Sequence, residues 1–423
     1  MTSSRRVRRA AAIIRSGGST ELLRKLISAA DRRLAGDSIP RLPIQPDEIR
    51  DSRSLNLAVP DDYPSRSRPL RIGWVSTPPT LGSGGHTTML RMVSALEAAG
   101  HECTLFLFDV PGGLASDHEK TVRAGWPQVK ANVRDIKDLA SMQEARNPGV
   151  DVAVATSWES AHILATYGTA PMRRFYFVQD FEPMFYPRGT EYQLALDTYR
   201  FGFRHIALGA MIKDQLRAEV GVHSDEVPFG CDTSTYFLIE PEVRRSGVVW
   251  YARPGNPRRG YWLARLALSQ FHQEHPEVPI FVYGSALRDL PFSAEVYPHL
   301  SPHELNELYN RSLAGLSLSF TNVSLVPTEL MRAGVIPVVN DSPEPRAVLD
   351  SPFVEWAFPT PAALANALGR VVAAPDTTAR GRQAAQAMSI DWQDTQAAVV
   401  RLIENDTYGV TSGSPTPDLA TRW

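Results

Sequence analysis

Arg71-Ile-Gly-Trp-Val-Ser76, running into Thr77-Pro-Pro-Thr-Leu-Gly-Ser-Gly-Gly-His86 and then into a segment with apolar residues at Met89, Met92, Val93 and Leu96, decides how this chain folds. A short apolar run, a glycine-rich turn and a helical apolar spacing make one strand-to-helix unit. The unit recurs. Further strands are expected at Glu102–Phe108, Val150–Thr156, Arg174–Gln179, His205–Leu208 and Val227–Phe229. A polar connection after Asp232 leads to a second series at Val248–Tyr251, Ile280–Tyr283, Glu295–Tyr297, Ala314–Ser319, Ile336–Val339 and Val354–Phe358. Strands alternating with helix-length segments imply parallel sheets. The fold class is α/β: two Rossmann-like doubly wound domains facing across a cleft, where the C-terminal ends of such strands bind ligands.

The same pass divides the chain into a basic helical extension and proline-punctuated linker (1–68), a first domain (69–240) and a second domain (241–388). A late helix (389–410) with Trp392, Ala397, Val400 and Leu402 is expected to cross back onto the first domain, and 411–423 to form a mobile tail. Composition agrees with packed domains. Of 423 residues, 43% are hydrophobic and 21% charged, which excludes global disorder. Lys+Arg 44 against Asp+Glu 46 gives a net charge of -2, whereas nucleic-acid binders carry a basic excess.

Charge is unevenly spread. Residues 1–35 hold nine basic side chains against two acidic ones, so this segment carries +7 and the remainder -9. Ile13, Ile14, Leu22, Leu23, Leu26, Ile27 and Leu34 are interleaved with those charges. An apolar stripe beside a basic face suits a membrane surface, while Gly17 and Gly18 interrupt any long helix and suit a helical pair packed on the body. Cys103 and Cys231 stand far apart without metal-ligand or redox spacing, as buried thiols in a reducing compartment would. No apolar run approaches the ~20 residues of a membrane-spanning helix, and Ala10–Ile14 is too short for a signal-peptide core. A cytoplasmic location is expected.

Three segments carry groups suited to chemistry. Gly82, Gly84 and Gly85 permit close approach of the backbone to a ligand, with free amides of the following helix behind them, although an ordinary strand-to-helix turn has the same look. As a dinucleotide fingerprint the motif fails, because Thr87 stands where the third glycine belongs. In Val248-Val-Trp-Tyr-Ala-Arg253-Pro-Gly-Asn-Pro-Arg258-Arg259-Gly260, three guanidiniums follow a strand. Their planar forked donors match a diphosphate; a solvated basic loop is the plainer alternative. In Ser319-Phe-Thr321-Asn-Val-Ser324-Leu325-Val326-Pro-Thr328-Glu329, a turn enters a helix whose amides can meet phosphate. Glu329 can accept two hydroxyl hydrogen bonds, as from a ribose diol, or serve the helix dipole alone. Arg174–Gln179 delivers Asp180 and Glu182 to the cleft, where Asp180 can also form a simple turn.

Together, Gly84-Gly85, Arg253 with Arg259, and Pro327-x-Glu329-x-x-x-x-Gly334 resemble glycosyltransferase family 4. Val178-Gln-Asp180-Phe-Glu182-Pro-x-Phe185-Tyr186-Pro-x-Gly189 and Tyr251-Ala-Arg253-Pro resemble its bacterial rhamnosyltransferase branch of the WsaF type, over about residues 70–405. The resemblance implies a GT-B fold and a retaining transferase that moves a sugar, most readily L-rhamnose from dTDP-L-rhamnose, to a hydroxyl of a cell-surface glycan or lipid-linked precursor. It implies that Arg253 and Arg259 neutralise the donor diphosphate, that Glu329 binds the ribose and that Leu325 and Val326 offer amides to the phosphates. It makes Asp180 the group that orients the acceptor or stabilises the transition state, with Glu182 beside it. Two positions depart from the family. Arg259 replaces the usual Lys, and Thr321 replaces a Glu that touches the donor sugar, which leaves room for a 6-deoxy sugar. No metal or other cofactor is implied, and the basic N-terminus would meet the inner membrane surface.

Two other classes share the two-domain outline. A non-hydrolysing sugar-nucleotide epimerase needs acid and base carboxylates with a histidine around one sugar carbon, which the motifs do not supply. An NAD-dependent oxidoreductase needs the glycine fingerprint that fails at Thr87.

Overall fold

The computed structural model describes residues 42–109, 115–144, 149–240, 244–323, 325–349, 351–388 and 391–409. The expected N-terminal helices, the tail after residue 411 and Ser324 lie outside the described residues. The chain divides into a unit of residues 1–46 and a unit of residues 47–423, and the second unit carries everything below.

Two parallel sheets form it. The first runs in the order β3-β2-β1-β4-β5-β6-β7, from β1 (Arg71–Ser76), β2 (Glu102–Leu107), β3 (Asn132–Asp135), β4 (Val152–Ala155), β5 (Arg173–Val178), β6 (Arg204–Leu208) and β7 (Ser224–Val227). The second runs β10-β9-β8-β11-β12-β13, from β8 (Val248–Tyr251), β9 (Ile280–Tyr283), β10 (Glu295–Tyr297), β11 (Ala314–Ser317), β12 (Ile336–Asn340) and β13 (Glu355–Ala357). Helices cover both faces, so the central strands β4, β9, β11 and β12 are buried at every residue.

Three expectations need correction. β3 (Asn-Val-Arg-Asp) has no apolar pattern, being an exposed edge held by register against β2. β7 lies three residues before the expected Val227–Phe229, because the polar run Ser224-Asp-Glu can pair as an edge strand beside β6. β11 stops at Ser317, and Ser319 is captured instead by Asn340, which accepts from the Ser319 amide at 2.8 Å and donates to its carbonyl at 2.7 Å.

Residues 49–68 have little regular structure and lie along the first sheet's half. The Arg50 amide donates to His162 Nδ1, Ser52 engages Asp197, and Arg68 pairs with Asp151. At the other end, helix α3 (Trp392–Thr407) packs on helix α1 (Gly84–Ala98) and on β7. Trp392 is 2% exposed and Gly230 lies against it: a Cβ on Gly230 would fall 2.8 Å from the Trp392 Cα. Cys103 and Cys231 are buried, unpaired thiols.

Candidate functional site

Strand order reverses at β1/β4 in the first sheet and at β8/β11 in the second, and each reversal leaves a crevice beyond the strand ends where this architecture takes ligands. The glycine turn after β1 and the arginine turn after β8 sit at these two points. They share one cleft of about 1100 Å³.

On the first wall, α1 begins at Gly84 and Ser83 caps it, its hydroxyl accepting from the His86 amide at 3.3 Å. No protein atom lies within 4 Å of a Cβ built on Gly84, and Gly85 would meet only the Gln179 side chain at 3.8 Å. The glycines therefore leave open space beside the peptides. His86 is a brace: its ring nitrogens meet Thr77 Oγ1 at 3.3 Å and the Thr80 amide at 3.2 Å, and burial lowers its pKa.

β5 ends at Asp180, which is 8% exposed. One carboxylate oxygen accepts from the Phe181 amide at 2.9 Å and the Asn322 amide at 3.0 Å; the other accepts from the Thr321 hydroxyl at 3.0 Å. Burial raises its pKa, opposed by Arg258 and Arg259. Glu182, two residues on, accepts from the Trp158 amide at 2.5 Å and the Tyr176 hydroxyl at 2.9 Å. Burial and then the nearby Glu159 push it well above the usual carboxylate range. Both carboxylates line the cleft; Asp180 has both oxygens engaged by protein donors, and Glu182 takes both of its donors on Oε2.

The second wall is cationic. Arg253 is exposed, with its guanidinium 5.6 Å from the Tyr251 ring centroid. Arg259 donates to Ser319 Oγ at 2.6 Å and the Asn322 carbonyl at 3.2 Å, and burial lowers its pKa to about 10. At that value it stays charged at neutral pH. Thr321 is 1% exposed, so the residue expected to face the donor sugar instead turns its hydroxyl to Asp180. Leu325 and Val326 lie in the cleft wall where the short helix α2 (Val326–Arg332) begins. Glu329, in its first turn, accepts from Tyr309 at 3.4 Å. Burial chiefly, and Asp232 to a lesser degree, hold its pKa up to about 7. Tyr309 is fixed in turn by Tyr283, their hydroxyls 2.5 Å apart.

Sequence reasoning grouped Arg258 with the arginine turn without foreseeing its contact with the opposite wall, and it missed Arg91 and Glu159. Arg258 lies 3.6 Å over the Phe185 ring of the first wall, with Nε 3.9 Å from Asp180. Arg91, from α1, pairs with Asp232 at 2.5 Å. Glu159 also lines the first wall. Of Arg91 and Glu159, only Arg91 had a readable signal: it lies seven residues after Gly84, two turns along the same helix face.

Two parallel-sheet halves, each opening at its switch point into a shared cleft, define the GT-B fold. Anabaena HepE, solved with UDP-glucose, superimposes with a TM-score of 0.61 at 13% identity, over 81% of this chain and 100% of that one. A putative UDP-N-acetylglucosamine 2-epimerase from Listeria monocytogenes gives 0.53 at 11% identity, over 83% and 99%. At these identities the likeness speaks for the fold alone.

Sequence narrows the class. The WsaF N-terminal domain matches residues 123–210 and the WsaF C-terminal domain residues 246–369, together about half of the chain. The chain belongs to the WsaF family of glycosyltransferases. The O-antigen biosynthesis protein RfbC of Myxococcus xanthus is 31% identical over 282 residues, which are 63% of this chain and 21% of that protein. The chain thus matches about a fifth of that relative's length. Among the described residues no helix is long and apolar enough to cross a membrane.

Proposed function

We propose that this glycosyltransferase transfers L-rhamnose from dTDP-L-rhamnose, with retention, to a hydroxyl of a surface-polysaccharide precursor. The observation that carries the donor side is the pairing of Arg253 and Arg259 with Glu329 on one wall, opposite the open peptides of Gly84 and Gly85. Two guanidiniums suit a diphosphate, and a carboxylate with a free edge suits a ribose diol. The UDP-glucose bound to HepE supports a nucleotide-sugar in such a cleft. The WsaF match supports rhamnose, and the relation to RfbC supports a polysaccharide acceptor.

In the proposed reaction the acceptor hydroxyl oxygen bonds to the anomeric carbon as the bond from that carbon to the diphosphate oxygen breaks. The hydroxyl proton passes to the departing diphosphate on the same face. Arg253 and Arg259, with the Leu325 and Val326 amides, carry the charge that develops, so the reaction is proposed to proceed without a metal. The acceptor enters along the Asp180 and Glu182 wall. A basic N-terminal segment would keep the enzyme near an anionic membrane carrying a lipid-linked acceptor.

The test is calorimetric titration with dTDP, UDP and GDP, followed by turnover of dTDP-L-rhamnose in EDTA and NMR of the product. Binding of dTDP and an unchanged anomeric configuration are expected. Selective binding of UDP or GDP discards the donor, an inverted product discards retention, and loss of turnover in EDTA discards metal independence.

A further inference from the structure

The bonds around Asp180 join the two walls. Asp180 belongs to the first sheet, yet it takes a hydroxyl from Thr321 and an amide from Asn322, both in the loop after β11 of the second sheet. Its neighbour Gln179 accepts from Asn322 Nδ2 at 2.9 Å through the main-chain carbonyl. The far side of the same loop holds Arg259, through Ser319 Oγ and the Asn322 carbonyl, and the Phe320 amide donates to the Arg258 carbonyl at 3.0 Å. Asp180, Thr321 and Asn322 are each less than 9% exposed, so these bonds are shielded from water, where a charge-assisted hydrogen bond is strongest.

We propose that Asp180 is a positioning residue, a latch at the floor of the cleft that ties the first sheet to the 319–322 loop and thereby seats Arg259 for the donor diphosphate. It acts through that loop, since its oxygens are engaged by protein donors. Thr321 is its partner, which gives the hydroxyl at that position a role other than contact with the sugar. The assignment of Arg259 to the diphosphate rests on the proposed function; the latch itself rests on the bonds alone.

The two parts separate experimentally. Spin labels on Lys120→Cys in the first half and Arg288→Cys in the second report the distance between the halves without any ligand; Cys103 and Cys231 are buried. The otherwise native chain gives one narrow distance distribution. Asp180→Ala and Thr321→Val each broaden it, and the double variant broadens it no further than Asp180→Ala. An unchanged distribution in Asp180→Ala overturns the latch. Circular dichroism confirms that each variant is folded, and the milder Asp180→Asn, which keeps one acceptor oxygen, gives an intermediate width.

Titration with dTDP and with UDP then tests the seating of Arg259. Asp180→Ala weakens the nucleotide that binds by about tenfold, Thr321→Val by less, and their effects are non-additive as for two members of one network. Undiminished nucleotide affinity combined with a raised acceptor KM overturns positioning and makes Asp180 an acceptor contact. A native protein that binds neither nucleotide refutes the donor assignment of Arg259, while the distance measurement still decides the latch.

Discussion

The two walls of the cleft come from the same doubly wound plan and end in opposite chemistry. Beyond β4 and β5 the first wall offers carboxylates, Glu159 after β4 and Asp180 and Glu182 after β5; beyond β8 the second offers Arg253, Arg258 and Arg259. On the first wall Asp180 and Glu182 are shifted upward, burial being the largest cause, while on the second Arg259 remains cationic despite burial. A wall of guanidiniums suits a diphosphate, and a wall of hydrogen-bonded carboxylates suits a neutral, hydroxyl-rich molecule. Repeating a fold repeats the crevice; the residues after one strand in each copy decide what the crevice holds.

The sharpest way to break this contrast is Arg259→Ala. With Arg259 facing the departing diphosphate as proposed, losing this buried cation is expected to lower kcat/KM for the nucleotide-sugar by at least ~10²-fold. Arg259→Lys, which keeps the charge and loses the fork, should recover part of it. Steady-state kinetics against the donor decides; a change below fivefold in Arg259→Ala would remove the second wall from the reaction.

Arg253→Ala comes next. Its side chain is exposed and makes no structural hydrogen bond among the described residues, so nucleotide affinity should fall about tenfold while Tm stays within a degree or so of the parent. Calorimetry and a thermal melt together test this, and a large drop in Tm would show a structural role.

Glu329 gives a pH signature. Its carboxyl is held up to about 7, so the ionised form that accepts two hydroxyl hydrogen bonds is lost as pH falls through 7. Affinity for a nucleoside diphosphate should drop several-fold from pH 8 to pH 6, and Glu329→Gln should flatten that profile. Stability runs the other way. Because the folded pKa lies above the unfolded one, burying Glu329 is tolerated at low pH and becomes unfavourable as pH rises from the unfolded value to about 7. Glu329→Gln should therefore gain on the native chain by about 1–3 kcal/mol at pH 8, read by denaturant unfolding.

The smallest effect is assigned to the first wall. Glu159→Gln should leave nucleotide affinity within twofold, because among the described residues no arginine of the second wall is bonded to Glu159. A tenfold loss in titration would erase the division between the walls.

Much of this architecture was legible in the chain because buried parallel strands are apolar runs of fixed length. Val248–Tyr251 and Ile280–Tyr283 were found to the residue for that reason. Edge strands escape the rule: Asn132–Asp135 and Ser224–Val227 are paired through main-chain bonds that place no demand on side chains. The site divides similarly. Arg253, Arg259 and Glu329 were visible as charges at strand and helix ends. The partners of Asp180 were not, since Thr321 and Asn322 lie 141 and 142 residues away.

The sequence by itself determined that there are two α/β halves, that glycines follow one first strand and arginines the other, and that a carboxylate opens a helix near the second. Those are local properties, set by apolar spacing and by the residues that follow a strand. Only the tertiary structure decided that the two strand ends meet in one cleft, that Arg258 lies across it on Phe185, and that Asp180 spends its oxygens on the opposite half. Hydrogen bonds between distant segments depend on orientation to within a few tenths of an ångström, and nothing in the order of residues along a chain fixes that until both halves have packed.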